Sequence, residues 1–223
     1  LQTVAGQLVS GFSGDGGLAT AARLNNPGEI AVDPAGNIFI ADNNNFRIRR
    51  IDARTGQIST YAGTGSAGFS GDGGAADRAN LAGPFSLAVD RMGNLFIADR
   101  ANNRVRVVDA NSRVIRTVAG NGSATSSGDG LTAVNAGISA PTAVALDEQD
   151  NLYIGEQGAI RRVLASNSTI STIAGIGIAG YSGDGDPATS ATLFSPSKML
   201  VDKAGNLIFT DTFNNALRVV KNV

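Results

Sequence analysis

Neither cysteine nor histidine occurs anywhere in the 223 residues. The first absence excludes disulfides and thiolate metal sites and leaves the redox compartment open. The second removes the commonest general base and the commonest zinc ligand. Tryptophan is missing too, and aromatics make up 5% of the chain, so platforms for stacking sugars or bases are scarce. Charged residues are only 17%, the net charge is −1, and Lys198, Lys203 and Lys221 are the sole lysines. A chain so balanced has no global field to draw in nucleic acid or an anionic membrane. No apolar run approaches the ~18 residues of a membrane-spanning helix.

What is present repeats. Ser-Gly-Asp-Gly starts at Ser13, Ser70, Ser127 and Ser182, in steps of 57, 57 and 55 residues. A Thr-x-Ala-Gly segment precedes each copy (from Thr3, Thr60, Thr117 and Thr172), and a proline follows (Pro27, Pro84, Pro141, Pro196). Then come an acid ending an apolar run (Asp33, Asp90, Asp147, Asp202) and an asparagine (Asn37, Asn94, Asn151, Asn206). A fixed period of this size describes an array of small units, none able to bury its apolar face alone.

Within the first unit the runs Ile30–Asp33, Asn37–Ala41, Phe46–Ile51 and Gln57–Ala62 carry the β-branched composition and alternation of strands, separated by Pro-Ala-Gly and Thr-Gly turns. One helical turn is expected near Ala19–Leu24 and its equivalents. Four-stranded meanders at this spacing indicate a β-propeller rather than a solenoid. Residues 1–5 match a fourth strand, and residues 217–223 match a third strand and stop. The expectation is therefore an all-β propeller of four four-stranded antiparallel blades, one domain over residues 1–223, the last blade completed by the N-terminal strand. Such completion would remove two exposed strand edges. The same exchange between two chains would give a dimeric eight-bladed ring instead. With Leu1 rather than Met at its start, the sequence reads as a processed, excised or engineered piece.

These segments, Gly-Phe-Ser-Gly-Asp-Gly-Gly, Pro-Gly-Glu-Ile-Ala-Val-Asp, Gly-Asn-Ile-Phe-Ile-Ala-Asp and Asn-Phe-Arg-Ile-Arg, resemble the NHL-repeat family of β-propellers, over essentially the whole chain. The resemblance implies a binding scaffold, with some relatives being enzymes, and favours an extracytoplasmic bacterial setting. NHL propellers more often have six blades, so a count of four departs from the pattern.

Each recurrent motif has a structural reading. Gly63-x-Gly65-x-x-Gly68 and Gly175-x-Gly177-x-x-Gly180 match a dinucleotide fingerprint, but no long helix follows, so these glycines serve a linking loop. Asp15, Asp72, Asp129 and Asp184 lie on equivalent loops and could ring a cation; flanked by glycine, they read first as loop formers. Their density falls short of a calcium loop. Asp42 with Arg49, Asp99 with Arg106, Glu156 with Arg161 and Asp211 with Arg218 read as braces, since a catalytic residue is needed once and not four times. The closer spacing of the third pair reflects a two-residue deletion.

Differences between units are therefore the better guide to function. At the start of the innermost strands stand Glu29, Phe85, Ser86, Thr142 and Lys198, an asymmetric set placed at the expected channel mouth. The loop face carrying Asp15, Asp72, Asp129 and Asp184 is the second candidate surface. The reading favours a non-catalytic binding or scaffold propeller recognising a protein, glycan or small molecule, with no catalytic residues, no metal ligands and no cofactor, no nucleic acid or membrane partner, as monomer or homodimer. The alternatives are a lyase- or lactonase-type propeller with an axial metal, and a repeat array without a natural ligand.

Overall fold

Short runs of β-branched and aromatic residues become strands, and the Gly, Asn and Asp between them turn the chain back. The computed structural model describes all residues 1–223. The first blade comprises β1 (Pro27–Val32), β2 (Ile38–Asp42), β3 (Arg47–Ile51) and β4 (Ile58–Ala62), hydrogen-bonded in that order. The second comprises β5 (Pro84–Val89), β6 (Leu95–Asp99), β7 (Arg104–Val108) and β8 (Ile115–Ala119). The third comprises β9 (Ala143–Leu146), β10 (Leu152–Gly155), β11 (Ile160–Val163) and β12 (Ile170–Ala174). The fourth has β13 (Pro196–Val201), β14 (Leu207–Asp211) and β15 (Ala216–Val220). The fold class is the all-β propeller of antiparallel blades. The only helical turns are 3-10 turns, four of them at Ala19–Ala21, Ala76–Arg78, Ala133–Asn135 and Ala188–Ser190, where the recurrent alanines stand. No helix is long and apolar enough to cross a membrane.

Three of the innermost strands, β1, β5 and β13, start at the proline, earlier than the apolar run alone suggests, while β9 starts two residues after Pro141. Proline at the first position of a strand forfeits no ladder bond, and a bulge between Pro27 and Ile30 sets the register that follows. Each β1–β2 type turn is closed by its aspartate: Asp33 accepts from the Asn37 backbone at 2.8 Å and from the Asn37 amide at 2.7 Å. Asp90, Asp147 and Asp202 repeat the contact.

The chain divides into two compact units, residues 1–102 with 106–116, and residues 103–105 with 117–223. In the first, Phe39, Ile48, Tyr61, Leu81, Leu87, Leu95, Ile97 and Ile115 form a buried core where the first two blades meet. In the second, Tyr153, Ile160, Leu193, Leu207 and Phe209 do the same for the last two. Each fully buried side chain of this size contributes about 1.5–3 kcal/mol.

The expected completion of the last blade is not seen. Its sheet has three strands, and residues 1–5 form no strand. The segment keeps only its forward attachment. Gly6 N–H donates to the Ala19 carbonyl at 3.0 Å, as Gly63 does to Ala76, and Ala5 packs on the Ala22, Ile40 and Ile58 cluster. That anchorage uses the far end of the segment and leaves Leu1 and Val4 exposed. In the same way Ile30 is 60% exposed on β1 where its equivalent Leu87 is 4% exposed, and Leu217 on β15 is 71% exposed where Ile48 and Ile160 are buried.

Candidate functional site

The arginine of each third strand does not point to solvent, as a simple alternating strand would have it. Arg49, Arg106 and Arg161 are fully buried, because the Ser-Gly-Asp-Gly loop folds over them. Arg49 reaches Asp42 at 3.4 Å and Asp15 at 2.6 Å, and also donates to the Ser13 carbonyl at 3.1 Å. Arg106 joins Asp99 to Asp72, Arg161 joins Glu156 to Asp129, and Arg218 joins Asp211 to Asp184. One guanidinium thus braces two acids in every blade. Its planar fork suits it to two partners at once. The loop aspartates are placed by this second bond and by neighbours such as Thr60, whose hydroxyl donates to Asp15 at 2.7 Å. Arg218 hydrogen bonds hold the Asp184 carboxyl below the usual carboxylate range. No group of three or more acids converges in a way that would hold a metal ion.

Three blades finish the brace identically. An asparagine three residues beyond the buried acid ties it to the incoming loop: Asn45 donates to Asp42 and the Gly11 carbonyl, both at 2.8 Å. Asn102 does so to Asp99 and Gly68, and Asn214 to Asp211 and Gly180. An aromatic ring then lies against the guanidinium: Phe12 on Arg49 and Phe69 on Arg106, each at 4.8 Å, and Tyr181 on Arg218 at 5.2 Å.

The third blade lacks all of this. Its two-residue deletion removes the asparagine, Thr125 replaces the glycine that would accept from it, and Ser126 replaces the aromatic. Ser126 Oγ accepts from Arg161 at 3.1 Å instead. The longer acid, Glu156, accepts from Ser139 N–H at 3.1 Å and from Arg161 at 3.3 Å, and burial pushes its carboxyl above its ordinary range. Where ring and amide stand elsewhere, a cavity of about 480 Å³ opens, lined by Thr125, Ser126, Ser139, Glu156, Gln157 and Ile176 among others. The deletion and Ser126 were both visible as departures from the period. Their convergence on one spot required the loop to be seen folded over Arg161.

The five inner-strand residues fall into two kinds. Ser86 and Thr142 are buried and clasp the adjacent blade: the Ser86 hydroxyl donates to Glu29, and the Thr142 hydroxyl donates to the Pro196 carbonyl at 2.6 Å. Glu29 also accepts from Leu87 N–H at 3.3 Å. Phe85 lies under the Arg100 guanidinium at 5.2 Å, and Lys198 is exposed. In the dinucleotide-like motif, Gly63 has φ +93 and leads only to a 3-10 turn.

The geometry is that of a blade-repeat protein in which a buried arginine braces each blade. The first blade carries a match to the NHL repeat, whose family model covers residues 24–51, and the later blades repeat the same segments. Human Teneurin-4 is 33% identical over 236 residues, across 93% of this chain and 8% of that protein. The chain spans less than a tenth of the length of the curated relatives it matches. Among solved structures, an auxiliary nutrient binding protein from Bacteroides thetaiotaomicron superposes with a TM-score of 0.67 at 17% identity, over 89% of this chain and 48% of that one. A streptogramin B lyase superposes with a TM-score of 0.56 at 14% identity, over 88% and 51%. At these identities the likeness is one of fold.

Proposed function

We propose that this chain is a non-catalytic binding module whose third blade presents a pocket for a small neutral, hydroxylated ligand of the glycan class on the loop face. The observation that carries the reading is the coincidence of three departures in one blade. Ring, asparagine and two loop residues are all absent where the cavity lies. Its polar lining is hydroxyl and amide (Thr125, Ser126, Ser139, Gln157), and its one carboxylate, Glu156, is already paired with Arg161. Groups that donate and accept without net charge suit sugar hydroxyls. The fold itself is shared by an auxiliary nutrient binding protein and by a streptogramin B lyase, so it does not choose between binding and catalysis. The chemistry favours binding, because every loop aspartate is committed to an arginine and no histidine is available as a base. Glu29, Phe85 and Lys198, at the inner-strand starts, would serve a protein partner. An extracytoplasmic bacterial setting fits such a role.

Titration of the isotopically labelled chain with N-acetylglucosamine, maltose and cellobiose tests the proposal. Amide signals of Ser139, Gln157 and Gly158 should move saturably with at least one sugar. Ser126→Phe, which restores the ring of the other blades, should abolish the effect without lowering the unfolding midpoint. Silence of those signals with all three sugars, or binding indifferent to Ser126→Phe, would overturn it.

A further inference from the structure

A second pocket lies in the first unit, on the side of the β1–β2 and β5–β6 turns. It is a groove of about 400 Å³ with Phe39 and Tyr61 in its floor and Arg50, Arg91 and Arg113 among its walls. The two rings meet edge to face with centroids 4.6 Å apart. Arg113 lies flat over Tyr61, its guanidinium carbon 3.5 Å from the ring centroid, and donates to the Tyr61 carbonyl at 2.6 Å. Its Nε is buried without an acceptor.

Two features set this groove apart from a generic gap between blades. One is its charge. The wall has three guanidiniums and a single carboxylate, Asp33, and that carboxylate is occupied by Ala35 N–H, Asn37 N–H and the Asn37 amide. Arg50 reaches Asp52 at the surface at 3.3 Å. Burial lowers the affinity of Arg113 for its proton and the nearby Arg50 charge lowers it further, while Tyr61 and Asp77 act the other way. The equivalent groove of the second unit is lined by Asp147, Glu148, Asp202 and Lys203, so the basic character is not a property of the repeat.

The other feature is backbone conformation. Arg113 has φ +60, at the position where the first blade has Gly56 (φ +67) and the third has Ser168 (φ +59). A long side chain in the left-handed region costs of order 1 kcal/mol relative to glycine. The second blade carries an arginine there, and its side chain is aimed at the groove.

We propose that this groove binds a small oxyanion, a carboxylate or a phosphate, gripped by Arg50, Arg91 and Arg113 above the Phe39–Tyr61 floor. Guanidiniums pair with planar oxyanions through two parallel N–H bonds, and a partly desolvated site strengthens each contact. The reading is independent of the glycan pocket, with which it shares no residue.

The test is isothermal titration of the full chain at low ionic strength with citrate and, separately, with inorganic phosphate, using sodium chloride as the screening control. One equivalent of at least one probe should bind saturably, and the probe that binds identifies carboxylate or phosphate as the preferred head group. Arg113→Gly installs the residue of the first blade, so it should fold normally yet weaken binding at least tenfold; Arg91→Ala should weaken it similarly. Binding of neither probe beyond the chloride control, or unchanged affinity in both variants, overturns the proposal.

Discussion

Replacing Arg106 by methionine isolates the energetics of the brace. The guanidinium lies between Asp99, whose side chain is fully buried, and Asp72, whose side chain is 36% exposed. Removing the arginine leaves the buried Asp99 carboxyl without its counter-charge. Breaking a buried pair in this way costs about 3–5 kcal/mol. Asp72→Asn leaves the buried pair intact and loses a partner that water can replace, so it should cost no more than about 1 kcal/mol.

The pH dependence sharpens the contrast. Burial pushes the Asp99 carboxyl up from its ordinary 3.8 to about 6, against the pull of Asn102, Ala82 N–H and Arg106. A folded value above the unfolded one means that this group favours the fold below about pH 3.8, and that the advantage is lost as pH rises through about 6. Without Arg106 the carboxyl moves higher still, each further unit adding about 1.4 kcal/mol of penalty at neutral pH. Urea unfolding of Arg106→Met should therefore show a loss that is larger at pH 7 than at pH 5, and that Asp99→Asn in the same chain partly restores. Equal costs for Arg106→Met and Asp72→Asn, or a loss independent of pH, would refute the reasoning.

The loop glycines offer a paired comparison. A Cβ on Gly71 (φ +85) would sit 2.7 Å from the Ala79 Cα, whereas one on Gly73 (φ +83) meets nothing within 4 Å. In urea titrations Gly71→Ala should cost about 2–4 kcal/mol from strain and overpacking together, and Gly73→Ala about 1 kcal/mol from strain alone. The depressed Asp184 carboxyl means that its bond to Arg218 supports the fold fully above the ordinary carboxylate range, and that this support is lost as pH falls below that range through the depressed folded value. Amide protection factors of residues 183–185, taken relative to the intrinsic exchange rate at each pH, should fall on acidification below the carboxylate range, and Arg218→Met should reproduce that loss of protection at neutral pH. The edge of β15 carries exposed Leu217 and Val219, a template for pairing with a second copy. Light scattering should show concentration-dependent association that Leu217→Lys with Val219→Lys reduces.

The blades were legible because local rules and the period agreed. Each turn aspartate is followed four residues later by its asparagine partner, and each alanine cluster forms its 3-10 turn, so the repeat could be divided into strands with small errors at their ends. The pairing of Asp42 with Arg49 was legible for the same reason, both residues lying on the paired strands of one hairpin, diagonal to each other in its register. The bond from Arg49 to Asp15 was not. It crosses 34 residues and depends on the loop lying back over the strand, which no periodicity encodes. Residues 1–5 show the opposite limit: their composition repeats a fourth strand faithfully, but a strand exists only when a neighbour supplies its ladder, and composition cannot supply one. The same asymmetry explains the candidate sites. In sequence Ser126 is a serine in a slot held elsewhere by an aromatic and Arg113 an arginine where the first blade has glycine, and neither fact alone says what the residue touches. Only packing reveals that the first uncovers a buried Glu156–Arg161 pair while the second lies across Tyr61 beside another guanidinium. In a repeat protein the residues that break the period locate where to look, and what they do is decided by which buried group each break leaves uncovered.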